Sequence, residues 1–291
     1  MRLKKIAVLS LLSGLMMGCS LTSDSQDKAV VNVAFATPLS TDFRSEIAIA
    51  RYSELLYRTN LTDEQKAQLL YDRGVLYDSL GLSTLARIDF NRTLNLKPDL
   101  PEVYNFLGIH YTLMQQYDKA YEMFDAVLDL KSEHEYAYLN RGIALYYGQR
   151  PQLAEQDFNA FLALAPSDPY RVVWRYLAQK ELDPISAQQQ LNSASSQLDE
   201  TTWAYQLIQL YLGELSERTF LAQLDEGVSS EQEFAERLCE AYFYLAKKHL
   251  SAGNIRSAED YFKLSLSTNV HEFVEYKYAR LELELLYSHS E

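Results

Sequence analysis

The sequence predicts an all-α solenoid of paired antiparallel helices with extra helices at its N- and C-terminal ends. One observation is a spacing: Gly74, Gly108 and Gly142 lie 34 residues apart, as do Ala86, Ala120 and Ala154, and Phe90, Phe124 and Phe158. Stacked repeats produce a fixed period of this size, because one short helical unit cannot bury its apolar face alone. A second is the scarcity of turn formers, with Gly 10 and Pro 7 in 291 residues against Tyr 22. That balance favours helices with large side chains over closely spaced strands and tight turns. A third is composition: 47% hydrophobic and 23% charged residues describe a globular chain. Forty acidic against 27 basic residues, a net charge of −13, exclude a protein whose affinity comes from neutralising nucleic-acid phosphates.

Taken in order, residues 1–18 have the regions of an export signal: Arg2, Lys4 and Lys5, an apolar run over 6–15, then Met16-Met17-Gly18-Cys19. The run is short of the roughly 20 apolar residues that span a bilayer. Gly18-Cys19 at its end resembles a bacterial lipobox, although Met16 and Met17 stand where that pattern usually has Leu and Ala or Ser. The resemblance implies cleavage before Cys19, a diacylglyceryl group on its thiol and a further acyl chain on its amine. Several chains anchor a protein stably where one is marginal. Ser20, in place of the Asp that commonly retains lipoproteins at the inner membrane, implies the outer membrane, with the chain facing the periplasm. Membrane contact is then expected through the lipid alone. Residues 19–39 are expected to be a lipidated cysteine and flexible tether, because the stretch after Cys19 is rich in Ser, Asp and Thr. Cys239 is left without a partner and, set in an apolar helical stretch, is expected as a small buried hydrophobe.

Residues 40–61 predict an N-terminal helix with Phe43, Ile47, Ala50 and Leu55 on one stripe, and Thr62-Asp63-Glu64-Gln65 has the spacing of a capping box that opens the next helix. Residues 62–168 hold three units. In each the Gly leads the Ala by 12 and the Ala leads the Phe by 4, with Tyr77, Tyr111 and Leu145 three after the Gly, and with Pro98 and Pro166 closing the first and third. This pattern resembles the tetratricopeptide repeat. Gly108 and Ala120 would let two helices approach closely, with Tyr111 and Phe124 filling the space between them. Residues 169–238 lack the marker Gly and Phe and predict degenerate helical repeats, broken at Asp183-Pro184, at 198–201 and at 212–216. Residues 239–270 predict a further unit through Tyr242, Leu245, Ala246, Gly253, Ala258 and Phe262. Residues 271–291 predict a C-terminal helix with Phe273, Tyr276, Leu283 and Leu286 inward.

No nucleotide-binding, serine-hydrolase or zinc-helix motif occurs. His271-Glu272-Phe273-Val274-Glu275 has a Glu where a zinc helix needs its second His, and the remaining histidines are scattered. The sequence therefore predicts no enzyme, no metal and no cofactor. It predicts a concave binding surface lined by the first helix of each pair. By the repeat family's usual inward positions that lining is Gln68, Tyr71, Val75 and Asp78 in the first unit, and Glu102, Asn105, Ile109 and Thr112 in the second. Tyr136, Leu139, Ile143 and Tyr146 continue it in the third. Tyr71, Val75 and Phe106 occupy the places where chaperone-binding members carry their carboxylate clamp, which argues against an acidic C-terminal tail as ligand. Another copy's helix, or the chain's own end helices, could fill the groove instead.

A lipobox, a short tether, an extra helix before the first repeat and the tetratricopeptide array together resemble the NlpI-type lipoproteins of Gram-negative bacteria. That resemblance implies a homodimeric outer-membrane scaffold that binds peptidoglycan endopeptidases and presents them to a tail-specific periplasmic protease, regulating cell-wall synthesis. The dimer contact is expected on the helix over 41–56. The alternative within the same fold is an assembly factor, pilotin-like or accessory to barrel insertion, for an outer-membrane complex.

Overall fold

The computed structural model describes residues 33–40, 43–58 and 60–288. The signal segment, Cys19, the first part of the tether and His289 lie outside the described residues. Fourteen α-helices and no strand make up the fold among the described residues. Helix α1 (Phe43–Leu56) lies against α2 (Asp63–Ser79), which pairs with α3 (Ser83–Leu96). The pattern repeats in α4 (Pro101–Leu113) with α5 (Tyr117–Leu130), and in α6 (Ala137–Tyr147) with α7 (Pro151–Leu164). The capping box is present: Gln65 N–H donates to Thr62 Oγ1 and Thr62 N–H donates to the Gln65 side chain.

The 34-residue period has a direct physical cause. A Cβ placed on Gly74, Gly108 or Gly142 would come within 2.7, 2.6 and 2.7 Å of the rings of Phe90, Phe124 and Phe158. Each marker glycine is thus the socket for the phenylalanine of its own unit, and all three rings are fully buried. The turn between the paired helices repeats as well. Gly81, Gln115 and Gln149 hold φ of 72°, 57° and 58°, and Gly253 takes the same place in the last unit with φ 77°.

Beyond residue 168 the chain continues as α8 (Pro169–Leu182) and α9 (Pro184–Ser195), then the shorter α10 (Tyr205–Leu212) and α11 (Glu217–Ala222). The breaks fall where the sequence places them. Asp183 caps α9 by accepting from Ile185 and Ser186 N–H, and Ser216 caps α11 by accepting from Thr219 N–H. The further unit pairs α12 (Glu231–Ser251) with α13 (Ile255–Leu266), so its first helix begins ahead of residue 239. Trp174 is the hub of this half, its ring within 6.5 Å of Phe158, Phe243, Tyr244 and Tyr278.

Two expectations are corrected. Residues 33–39, assigned to the tether, lie along α12: Leu39 N–H donates to Thr268 O at 3.0 Å, Tyr242 Oη donates to Ala34 O, and Ala36 and Leu39 pack beside Cys239. The apolar Val33, Ala34, Ala36 and Leu39 have an apolar strip to cover, which the polar residues before them do not. Helix α14 (Val274–Ser288) buries Glu275, Tyr278, Ala279, Leu281, Glu282 and Leu283, whereas Phe273, Tyr276 and Leu286 are only half-buried. Of the four residues expected inward only Leu283 is buried, because two of the buried positions, Glu275 and Glu282, are carboxylates that hydropathy places outside. Cys239 is buried as expected, and burial pushes its thiol up to about 12, far from a reactive thiolate. No described helix is long and apolar enough to cross a membrane.

Candidate protein-binding groove

Helix α14 packs against the C-terminal ends of the first helices of the three units, α2, α4 and α6, and so covers one half of the predicted lining. Residues near the ends of these helices seat it. Asp78, at the last turn of α2, is buried with Oδ1 2.7 Å from His110 Nε2, and its Oδ2 accepts from Lys277 Nζ at 2.8 Å. Burial alone would favour the neutral acid, but the His110 hydrogen bond and the Lys277 ammonium outweigh it and hold Asp78 down at about 2. On α6, Tyr147 stacks on Tyr278 with ring centroids 5.3 Å apart and donates to Glu282 Oε1 at 2.8 Å. Lys247 of α12 closes the seat. Its ammonium donates to Glu282 Oε1 and to Tyr146 Oη, and lies 4.7 Å from the Tyr146 ring centroid. Desolvation works against the charge on Lys247, but Glu282 overcomes it and the pKa rises above the usual lysine value.

Of the twelve residues assigned to the lining, Asp78, Thr112, Leu139 and Ile143 are therefore buried and Tyr146 is engaged by Lys247, so these five do not face a free groove. Leu139 and Ile143 share one core with Tyr278 and Leu281. The chain's own last helix occupies this part of the surface. Val75 and Ile109 are half-buried between units, beside Phe90 and Phe106, and beside Phe124, respectively.

The remaining five stay accessible and lie toward the start of each first helix. Gln68 and Tyr136 are exposed, the latter by 51%, while Tyr71, Glu102 and Asn105 are half-buried. They are pre-oriented by their neighbours. Gln68 Nε2 donates to Asp72 Oδ1 at 2.8 Å, Asn105 Oδ1 accepts from Asn140 Nδ2 at 2.9 Å, and Glu102 pairs with Lys131 at 3.5 Å. Burial, then the nearby Glu102 charge, raises the Tyr71 pKa, which keeps its hydroxyl a neutral donor. Tyr71 leans on the Phe90 ring and Tyr136 on the Phe161 ring, and accessible tyrosines backed in this way suit recognition of a polypeptide segment, since aromatic residues are enriched at the energetic centres of interfaces. Among the described residues no three His, Cys, Asp or Glu side chains are grouped to hold a metal ion.

No protein-family model matches the chain. Solved structures to which it is similar are helical-repeat proteins. A tetratricopeptide repeat protein from Parabacteroides merdae is 20% identical, covering 77% of this chain and 78% of that one, with a TM-score of 0.49. Pseudomonas aeruginosa pilF is 19% identical over 68% of this chain and 98% of its own, with a TM-score of 0.44. YrrB, a tetratricopeptide protein with an unusual peptide-binding site, is 14% identical over 80% and 97%, with a TM-score of 0.41. At these identities the likeness concerns the fold alone. The described residues form an all-α array of paired helices, whose 34-residue Gly, Ala and Phe markers give residues 62–168 the pattern of the tetratricopeptide repeat.

Proposed function

We propose that this chain is a membrane-anchored periplasmic adaptor that binds peptidoglycan endopeptidases and presents them to a tail-specific protease. The observation that supports this reading is that Gln68, Tyr71, Glu102, Asn105 and Tyr136 stay accessible while Asp78, Thr112, Leu139 and Ile143 are buried, which leaves a polar and aromatic surface for a partner. The partner identities rest on the likeness of the whole sequence to NlpI-type lipoproteins, and the outer-membrane location rests on Cys19 and Ser20. The mechanism is effective concentration. Two proteins held on one rigid array meet at local concentrations of order mM for short linkages, with no catalytic residue supplied by the scaffold. Homodimerisation through α1 fits a helix that buries none of its residues and leaves Phe43 65% and Ile47 55% exposed.

The deciding experiment is degradation of a purified endopeptidase by the tail-specific protease, with and without the soluble form lacking residues 1–19. Acceleration that disappears in Tyr71→Ala with Tyr136→Ala supports the adaptor and places docking on the open half. No acceleration by a folded helical protein favours the assembly-factor reading. Release of peptidoglycan fragments by the purified protein alone would contradict both.

A further inference from the structure

A pocket of about 570 Å³ opens where the far ends of α6, α8, α12 and α14 converge, away from the open half of the groove. Its walls are apolar and aromatic: Tyr146, Tyr147, Leu250 and Leu285. Its charges are Glu181, Lys247 and Glu282. Lys247 and Glu282 are buried and neutralise one another. Glu181 is exposed at the rim and forms no ion pair among the described residues, while its neighbour Lys180 turns its ammonium onto Ser251 Oγ at 2.7 Å. The pocket thus offers apolar and aromatic walls and, at Glu181, an exposed carboxylate with no ion pair among the described residues, whose neighbouring cation, Lys180, is turned toward Ser251. We propose that it receives a lysine or arginine side chain of a partner protein, the stem against Leu250 and Leu285 and the cation at Glu181. A long basic side chain has this shape, an apolar stem with a charged head that seeks the surface. Because α14 supplies part of the wall, the pocket exists only while α14 is seated. An occupant therefore stabilises the seated state by linkage, independently of what the open half binds.

The test is ligand-observed NMR on the full chain with three probes: N-acetyl-arginine methylamide, N-acetyl-norleucine methylamide and N-acetyl-glutamate methylamide. The arginine probe is expected to bind about two- to fivefold more tightly than the norleucine probe, the scale of one exposed ion pair. Saturating arginine probe should also raise the melting temperature. Glu181→Gln should abolish the preference, and Glu284→Gln, an exposed charge outside the pocket, should retain it. Equal binding of the norleucine probe would make the pocket a purely apolar one and overturn the assignment. Preference for the glutamate probe would do the same, with Lys247 as the anchor, and so would binding by none of the three.

Discussion

The three regular units and the part of the chain beyond residue 168 are both helix upon helix, yet different interactions hold them. In residues 62–168 each unit closes on itself, a glycine socket against a phenylalanine ring, with sequence-local contacts. Beyond residue 168 the interior is built from large aromatics and buried charges that meet across long separations, such as Tyr170 with Glu240 and Tyr244 with Glu275, and that reach back to α6 through Tyr147 with Glu282 and Lys247 with Tyr146. A socket needs only shape, whereas a buried charge needs every partner in place. The regular units should therefore tolerate loss of one contact locally, and the seat of α14 should fail as a group.

The largest effect is expected at that seat. Lys247→Met leaves Glu282 buried without its cation, a loss of about 3 to 5 kcal/mol for a broken buried pair. Adding Glu282→Leu removes the stranded charge and should recover much of it. Urea unfolding of the two variants checks this, and hydrogen exchange of the α14 amides shows whether that helix leaves alone. A single-variant loss as small as that of a surface change would erase the distinction between the two regions.

A second expectation concerns pH. Glu240 accepts from Tyr170 Oη at 2.6 Å and Trp203 Nε1 at 3.2 Å, and Glu275 accepts from Tyr244 Oη at 2.8 Å. Burial, then the charge of Glu275, pushes Glu240 up to about 8. A folded-state pKa above the unfolded value of about 4.3 contributes stability that is present in acid and lost as pH rises toward 8. Asp78 has the opposite sign, its contribution being lost only as pH falls toward 2. Melting temperature should thus decline between about pH 5 and pH 8, within the window those pKa values set. Glu240→Gln, which keeps an acceptor for Tyr170 and Trp203, should flatten that decline. An unchanged slope would place the titration elsewhere.

In the regular units, Gly108→Ala puts a Cβ 2.6 Å from ring carbons of Phe124 that are closed in on all sides. Overpacking of this kind costs about 1 to 3 kcal/mol, and Phe124→Leu in the same chain should return part of it. Thermal unfolding of the single and double variants measures both steps. Failure of the smaller side chain to compensate would mean that the glycine serves the backbone rather than the ring.

These contrasts also explain what was legible in the sequence. The Gly, Ala and Phe markers show because each repeats one local packing event, and Thr62 with Gln65 shows because a capping box spans four residues. The turn residue repeats at the same interval, but Gln115 and Gln149 hide it where Gly81 and Gly253 display it. Nothing in the residue type announces φ > 0 at a glutamine. The open half of the groove follows from the repeat register. Its filled half does not, because it depends on Lys277, Tyr278 and Glu282, whose partners Asp78, Tyr147 and Lys247 lie in distant segments and whose polarity argues for solvent. Likewise the polar residues after Cys19 obscured the apolar strip from Val33 to Leu39, which has its complement only on α12.

The smallest effect comes from an alternation inside the regular region. Arg73 donates to both oxygens of Asp89 at 2.6 and 2.8 Å, and Arg141 does the same to Asp157 at 2.8 Å twice. The equivalent places in the middle unit are Leu107 and Met123. One position in the fold thus accepts either a bidentate ion pair or an apolar pair. Arg141 also donates to Asp125 on α5, and Arg73 donates to Ser53 on α1, so α1 stands where the second helix of an earlier unit would be. Asp157→Met alone strands the inner face of Arg141 and should cost about 2 kcal/mol, the scale of hydrogen bonds to a charged group. Arg141→Leu together with Asp157→Met imports the middle unit's solution and should fall within about 1 kcal/mol of the parent, since apolar replacement of a well-buried pair is often neutral. A double-mutant cycle in urea isolates the coupling. A double variant as unstable as the single one would show that Arg141 acts mainly through Asp125, as a tie between successive units, and that the apolar pair works only where no such tie is made.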